Sequence, residues 1–399
     1  MSVANQPLAG VRVLEFGTLI AGPFCARVLA EFGADVIKVE SPEGGDPLRK
    51  WRKLHEGTSL WWYLQSRNKR SLTLNLKDPE ALAVARELAA RSDIVIENFR
   101  PGVMEKLGLG WETLSALNPG LVMVRLSGYG QTGPKRDQPG FGAIGESMGG
   151  LRFITGFPDR PPVKTGISIG DSIAALWAAL GAMMALRHRE VNGGAGQVVD
   201  VALYEAVFAM MESLVPEFDM FGFIRERTGN VMPGITPSNT HTTRDDRHVI
   251  IGGNGDAIFK RLMAAVGRPD LADDPDLASN AGRDARAKEI YGVIDAWVAR
   301  HDLARVLEIL RAAEVPATHT YSVADMLDDP QFAARGMIEQ MRLADGNEVR
   351  MPGIVPRLTD TPGATRWPGP SLGEHTDEIL SGLGRSPADI VRLRARGAI

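Results

Sequence analysis

The stretch VKTGISIGDSIAALWAALGAMMAL, residues 163–186, sets one carboxylate, Asp171, between a glycine-bearing loop and a long apolar run. A carboxylate there has two uses. Aspartate is among the best residues for satisfying the free N–H groups at a helix start, where the positive end of the helix dipole also favours its charge. Held ionised and aimed, the same group can act as a nucleophile and carry a covalent acyl intermediate. The local residues leave both readings open.

GYGQTG, residues 128–133, is a second candidate, because it matches G-x-G-x-x-G after a predicted strand. That fingerprint cradles a pyrophosphate only when its last glycine opens a helix. Here PKRDQPG follows, with Pro134 and Pro139 in a charged run, so a loop is expected and a nicotinamide cofactor is not. The glycines more simply allow backbone to approach another backbone or a ligand. G-x-x-x-x-G-K-S/T, H-E-x-x-H and paired Cys/His spacings do not occur. The common phosphate-loop and zinc signatures are therefore missing, and no metal is expected.

Strands alternating with helices must position these residues. RVLEF (12–16), DVIKVE (35–40), SLTLNL (71–76), IVIENF (94–99) and LVMVRLS (121–127) read as strands. Between them, PFCARVLAEFG reads as a helix opened by Pro23 and closed by Gly33, and 79–92 as another. This alternation predicts an α/β fold with a mostly parallel sheet covered on both faces. The texture changes after about residue 210. VIIGG (249–253) predicts a strand, and 256–312 is largely helical with polar faces, as in a smaller separate domain. A proline-rich tail then leads to a short helix from about Thr376.

At 399 residues the chain is long enough for two domains. A net charge of −4 makes no electrostatic case for nucleic acid as a partner. The single cysteine, Cys25, fits a reducing cytoplasmic setting and reads as a small buried residue of the first helix. The N-terminus lacks the basic-then-apolar pattern of a signal peptide, and 173–186 reads as a buried core helix, so no membrane span is expected.

Six segments, in order, carry a resemblance. LAGVRVLEFGTLIAGPFCARVLAEFGADVIKVE, NKRSLTLNLK, ENFRPGVMEKLGL, LSGYGQTGP, GDSIAALWAALGAMMAL and LGEHTDEIL run from about residue 8 to 380 and resemble the class III CoA-transferases, the CaiB/BaiF family. The resemblance implies a Rossmann-like large domain plus a smaller α+β domain, in an interlocked homodimer. The large CoA-binding domain would span 1–205, the small domain 225–325, and 330–399 would return to the large domain. It also implies that Asp171 is the nucleophile, passing through a mixed anhydride to an aspartyl-CoA thioester. Capping and catalysis would then be two uses of one geometry.

Coenzyme A, as acyl-CoA substrate, is the only cofactor the resemblance implies. The first strand–helix turn points to Ile20 and Ala21, by backbone. LNLK supplies Leu74 and Lys77, ENFRPG supplies Asn98, Phe99 and Arg100, and the basic position before LGL is Lys106. The loop after GYGQTGP supplies Lys135 and Phe141. Phosphates at two separated places need such cations. Gly252, Gly253, Asn254 and Gly255 match a glycine-rich loop that closes over the nucleophile; they also read as a strand-to-helix turn capped by Asp256. Two departures stand out. Ser41 occupies the place of an adenine-covering arginine, for which Arg49, Lys50, Arg52 and Lys53 are the candidate substitutes. Gly142, with Glu146 four residues on, replaces an acidic residue after the loop aromatic.

Racemases of the same superfamily pair their aspartate with a histidine, since racemisation needs two opposed proton-transfer groups. The equivalent stretch here, GFGAIGESMGG, has none. A catalytically silent CoA-binding protein is a third reading, against which Asp171 stands. Arg152, Lys164, His241 and Arg244 are extra cations that suit a second carboxylate on the acyl group. With a likeness to relatives that move CoA between succinate and branched dicarboxylates, they suggest succinyl-CoA as donor and a malate- or citramalate-like acceptor, with Arg152 as the clamp.

Overall fold

The computed structural model describes residues 5–399. By contacts the chain forms two units. One comprises the chain up to Leu151, Thr165–Met220 and Arg335–Ile399; the other comprises Arg152–Lys164 and Phe221–Ala334.

The first unit is built on six strands: β1 (Arg12–Glu15), β2 (Asp35–Glu40), β3 (Lys69–Thr73), β4 (Ile94–Glu97), β5 (Val122–Ser127) and β6 (Val198–Ala202). Their order across the sheet is β3-β2-β1-β4-β5-β6, every pair parallel. Side chains alternate between two buried clusters, as the two-residue period of a strand requires. Val13, Ile94, Ile96, Val122 and Val124 face one, and Leu14, Val95 and Met123 face the other. The first cluster lies under helix α1 (Ala21–Glu31); the second lies under α3 (Pro79–Ala90), which follows a short α2 (Leu60–Gln65).

After β5 come a short helix, α4 (Gly142–Met148), and a 23-residue helix, α5 (Ile169–Val191). Ala174, Ala175, Ala178, Ala182 and Ala185 form the buried face of α5, in the same cluster as Ala26 and Ala30 of α1. Small side chains on both helices let their axes approach closely, which fixes the start of α5 beside the start of α1. By length and hydropathy α5 is able to cross a bilayer, but its alanine face lies in the protein core.

In the second unit, β7 (Ser238–Thr242), β8 (His248–Gly252) and β9 (Ala317–His319) form an antiparallel sheet in the order β9-β8-β7. Val249 and Ile251 point from it into a core made with α6 (Asp256–Ala265), α7 (Ala287–Val298) and α8 (Leu303–Ala312). A parallel sheet plus a smaller α+β unit is the architecture the sequence predicts. A hairpin, β10 (Ile338–Arg342) and β11 (Glu348–Pro352), then α9 (Thr376–Gly382) and α10 (Pro387–Ala395), complete the first unit. Thr376 ties α9 to the sheet, its hydroxyl accepting from the Thr73 amide at 3.1 Å.

Candidate active site

In this strand order the chain reverses direction across the sheet between β1 and β4, and the crevice at their carboxyl ends is where such folds bind ligands. The turn after β1 and the segment after β4 meet there. Asn98 Oδ1 accepts from the Thr18 amide at 2.7 Å, and its Nδ2 donates to the Thr18 carbonyl at 2.8 Å. Gly17 and Gly22 let the turn close on itself, since a Cβ on Gly17 would sit 3.0 Å from the Gly22 Cα. Leu19 is held at φ 65°, a strained value for leucine, and its amide donates to both Asp46 carboxylate oxygens at 3.1 and 3.2 Å.

Beneath the turn lies a buried quartet of charges. Lys38 Nζ is 2.9 Å from Asp46 and 3.1 Å from Glu15, and it also donates to the Gly17 carbonyl. Lys69 Nζ is 2.7 Å from Glu15 and donates to the Pro23 carbonyl at 2.8 Å. Burial favours a neutral Lys38, but Asp46, Glu15 and Glu40 outweigh it and hold the amine above its ordinary value. Burial likewise opposes the Asp46 charge, yet Lys38 and the amides of Leu48 and Leu19 hold its carboxyl below the usual range. The ion pairs and the turn thus hold each other in place. Neither Asp46 nor Lys38 stands out as a site residue in the sequence. A lysine inside the buried strand DVIKVE was the one available signal.

The turn leads into α1 with Ile20 at the N-cap and no side chain capping the helix, so the first amides, Ala21 among them, have no side-chain acceptor. A cavity of about 260 Å³ lies alongside at the ends of β1, β2 and β3. Leu74, Lys77 and Phe99 line it together with Phe16 and Ser41, which brings three of the predicted residues to one place. Lys77, Arg100, Lys106 and Lys135 are exposed, and none has a carboxylate partner among the described residues. Phe141 is 66% exposed.

None of the proposed substitutes for the adenine-covering arginine lines the Ser41 cavity. Arg49 is buried, paired twice with Glu40 at 2.7 and 2.8 Å and laid over the Trp62 ring at 3.7 Å. Lys50 donates to the Gly57 carbonyl at 2.8 Å, and Arg52 rests over Trp61 at 4.8 Å.

Asp171 is not the cap of its helix. The helix begins at Ile169 with Ser168 at the N-cap, so Asp171 lies inside the first turn. Its half-buried carboxylate lies against the bare Cα of Gly142, the first residue of α4. A Cβ there would stand 2.0 Å from Oδ2 and 2.7 Å from Cγ, so any other residue forces the Asp171 carboxylate to shift. One turn further along α4, buried Glu146 takes the role expected of Asp171: its Oε1 accepts from the Gly170 amide at 3.3 Å.

The charge state differs from expectation too. Burial, and next the Glu146 charge, push the Asp171 carboxyl up to about 6, although its own amide pulls it down. The helix start therefore does not hold it far below neutrality. At pH 7 it is still roughly 90% ionised, and it is more basic than an ordinary aspartate. A raised, half-desolvated carboxylate suits a nucleophile.

The second unit contains the remaining predicted residues. Gly252 donates to the Pro316 carbonyl at 2.9 Å and Gly253 to that of Pro237 at 2.8 Å. Buried Arg283 donates to the Asn254 carbonyl at 2.7 Å and to Asp256 at 2.8 Å, which fixes the loop. Gly255, not Asp256, is the N-cap of α6. Arg152 lies in this unit as well. His241 and Arg244 are not spare cations. Burial lowers the His241 imidazole below its ordinary value against the pull of Asp295, 2.6 Å away, and Arg244 forms a two-point pair with Asp302.

The chain is similar to several known proteins over nearly its whole length. The succinyl-CoA–D-citramalate CoA-transferase of Chloroflexus aurantiacus is 50% identical over 396 residues, covering 99% of this chain and 98% of that protein. The succinyl-CoA–L-malate CoA-transferase beta subunit of the same organism is 44% identical, covering 100% and 99%. The crystal structure of a CaiB/BaiF family protein from Brucella suis superposes with a TM-score of 0.85 at 33% identity, covering 95% of this chain and 100% of that one. The family model for CoA-transferase family III matches residues 8–376, and the chain belongs to that family.

Proposed function

We propose that this chain transfers CoA from an acyl-CoA donor to a carboxylic acid through an aspartyl-CoA thioester on Asp171. Succinyl-CoA is the proposed donor, and a hydroxy- or methyl-branched dicarboxylic acid is the proposed acceptor. The observation that carries the reading is the Asp171 carboxylate held against the bare Cα of Gly142, with its pKa near 6. The names of the two Chloroflexus relatives support the choice of acids.

The chemistry needs only carboxylate and thiolate nucleophiles. The Asp171 carboxylate attacks the donor thioester, releasing CoA thiolate and forming a mixed anhydride. The thiolate then attacks the aspartyl carbonyl, expelling the donor acid and leaving the aspartyl-CoA thioester. Acceptor carboxylate attacks that carbonyl and frees the thiolate again. Attack of the thiolate on the acceptor carbonyl gives acceptor-CoA and restores Asp171. No redox step occurs, and Asp171 is the only group of the protein that must be deprotonated beforehand.

In this reading Ile20 and Ala21 present backbone to CoA, Leu74 and Phe99 pack against it, and Lys77, Arg100, Lys106 and Lys135 meet its phosphates. Asn98 acts mainly by bracing Thr18, and Phe141 offers an exposed ring. Arg152, Gly252, Gly253, Asn254 and Gly255 are proposed substrate contacts. A cytoplasmic homodimer completes the proposal, supported by the outer face of α5, where Leu176, Leu180 and Met184 are exposed.

Asp171→Ala tests the reading. Transfer should fall below detection while CoA binds within about twofold of wild type. Retained turnover would remove Asp171 from the mechanism.

A further inference from the structure

We infer that a second cavity of the first unit, beside the start of α5, takes the far carboxylate of a dicarboxylic acyl group, with Arg52 and Arg27 as its counter-charges. The inference rests on the transferase reading above and names the residues that would make it selective for diacids.

The cavity measures about 330 Å³, at the small end of the ~300–1,000 Å³ usual for small-molecule sites. Its position links the two halves of the chemistry. Ile20, the last residue of the CoA-side turn, forms one wall, and Ser168 and Ser172 form another. Asp171 lies between those serines in the same helical turn. Ser172 Oγ donates to the Ser168 carbonyl at 3.0 Å, whereas the Ser168 hydroxyl makes no capping bond. Asp171 does not line the cavity, but its helical neighbours Ser168 and Ser172 do, which sets the opening beside the nucleophile's turn.

Its charge is one-sided. The lining holds Arg27 and Arg52 and no carboxylate, whereas the 260 Å³ cavity contains Glu40 and Asp46 beside its lysines. Arg27 is steered by α1 and α2: it lies 4.0 Å over the Phe24 ring, and its Nη1 donates to Gln65 Oε1 at 3.3 Å. Glu31, 3.1 Å from its Nε, is shared with Arg67. Burial lowers Arg27 to about 10, with Glu31 opposing, so it stays charged at pH 7. Arg52 rests on Trp61 and has no carboxylate partner among the described residues. A planar guanidinium over a ring is oriented for two-point contact with a carboxylate. A monocarboxylic acyl group leaves Arg52 without a carboxylate and Arg27 with only the Glu31 it shares with Arg67.

The experiment compares a four-carbon dicarboxylic acceptor with the four-carbon monocarboxylic acid, using the purified full-length protein and succinyl-CoA. Arg52→Gln, Arg27→Gln and Arg52→Lys are measured beside wild type. Loss of one charged hydrogen-bonding partner should lower the diacid-to-monoacid ratio of kcat/KM by about ten- to a hundredfold, with the lysine variant between. Arg52 is exposed, so its variant decides the matter even where Arg27→Gln does not fold. A ratio within about twofold of wild type for Arg52→Gln overturns the inference. So does an equal loss on both acids, or a shift seen only with Arg152→Ala. Wild type that transfers CoA to no acid overturns the transferase reading instead.

Discussion

Replacing Gly142 with alanine puts a methyl carbon where the Asp171 carboxylate sits. The built Cβ would lie 2.0 Å from Oδ2, and ordinary contact begins at 3.4 Å, so the carboxylate must retreat by about 1.4 Å. The backbone of α4 cannot give way freely, because Glu146 on the same helix holds the Gly170 amide and Gly145 lies tight against Leu203. The side chain of Asp171 therefore moves. A misplacement of about 1 Å at a reacting group costs about a hundredfold. We expect kcat to fall at least that far. The KM for the acyl-CoA should stay within about twofold, since most of the CoA-side residues (Ile20, Ala21, Leu74, Lys77, Asn98, Phe99 and Arg100) follow other strands. Overpacking should cost about 1–3 kcal/mol in stability, which the gain of alanine over glycine in a helix partly offsets. Steady-state transfer with succinyl-CoA, alongside a urea melt, gives both quantities. A Gly142→Ala protein with kcat within threefold of wild type would refute the seating of the nucleophile described here.

Four further outcomes follow from the same geometry. The rate should fall about tenfold per pH unit below about 6 and level off above 7, as Asp171 must be ionised to attack. Glu146→Gln removes a charge that raises that pKa, so the acid limb in a pH–rate profile should move to lower pH. Asp171→Asn should stabilise the fold: a carboxyl raised from 3.8 to about 6 contributes stability that is complete below pH 3.8 and lost as pH rises through 6. Two units correspond to roughly 3 kcal/mol, of which about 1–2 kcal/mol should survive relaxation as a gain in urea melts at pH 8, and almost none at pH 3. Asn98→Ala strips both hydrogen bonds from Thr18 and should raise the Kd for CoA about tenfold by calorimetry, while Asp171 remains able to form an adduct at saturating thioester.

The parallel core was legible where burial leaves apolar runs bounded by turns. DVIKVE is a strand over its full predicted length, and α1 starts two residues before Pro23, at Ala21, and ends at Glu31, just ahead of Gly33. The third strand was predicted at 71–76 and runs from Lys69 to Thr73. Its first residue is a fully buried lysine whose partner, Glu15, is 54 positions away in sequence, a pairing that no local pattern encodes. The same limit applies at the site. Asp171 was singled out by its neighbours in sequence, but its setting comes from Gly142 and Glu146 across a helix contact. Glu146, not Asp171, holds a free amide at the start of α5. The lone arginines near Ser41 and the small-unit cations looked interchangeable in sequence. Packing separates them: Arg49, His241 and Arg244 have buried or paired partners, and Arg52 does not.

The central claim is that the Asp171 carboxylate is activated as an anhydride and then as an aspartyl-CoA thioester. The most direct measurement incubates the protein with succinyl-CoA and hydroxylamine, then maps the digest by mass spectrometry. The account predicts a hydroxamate on Asp171, dependent on the thioester and absent from Asp171→Ala. A protein that turns over while Asp171 stays unmodified, or a hydroxamate on another carboxylate, would contradict it.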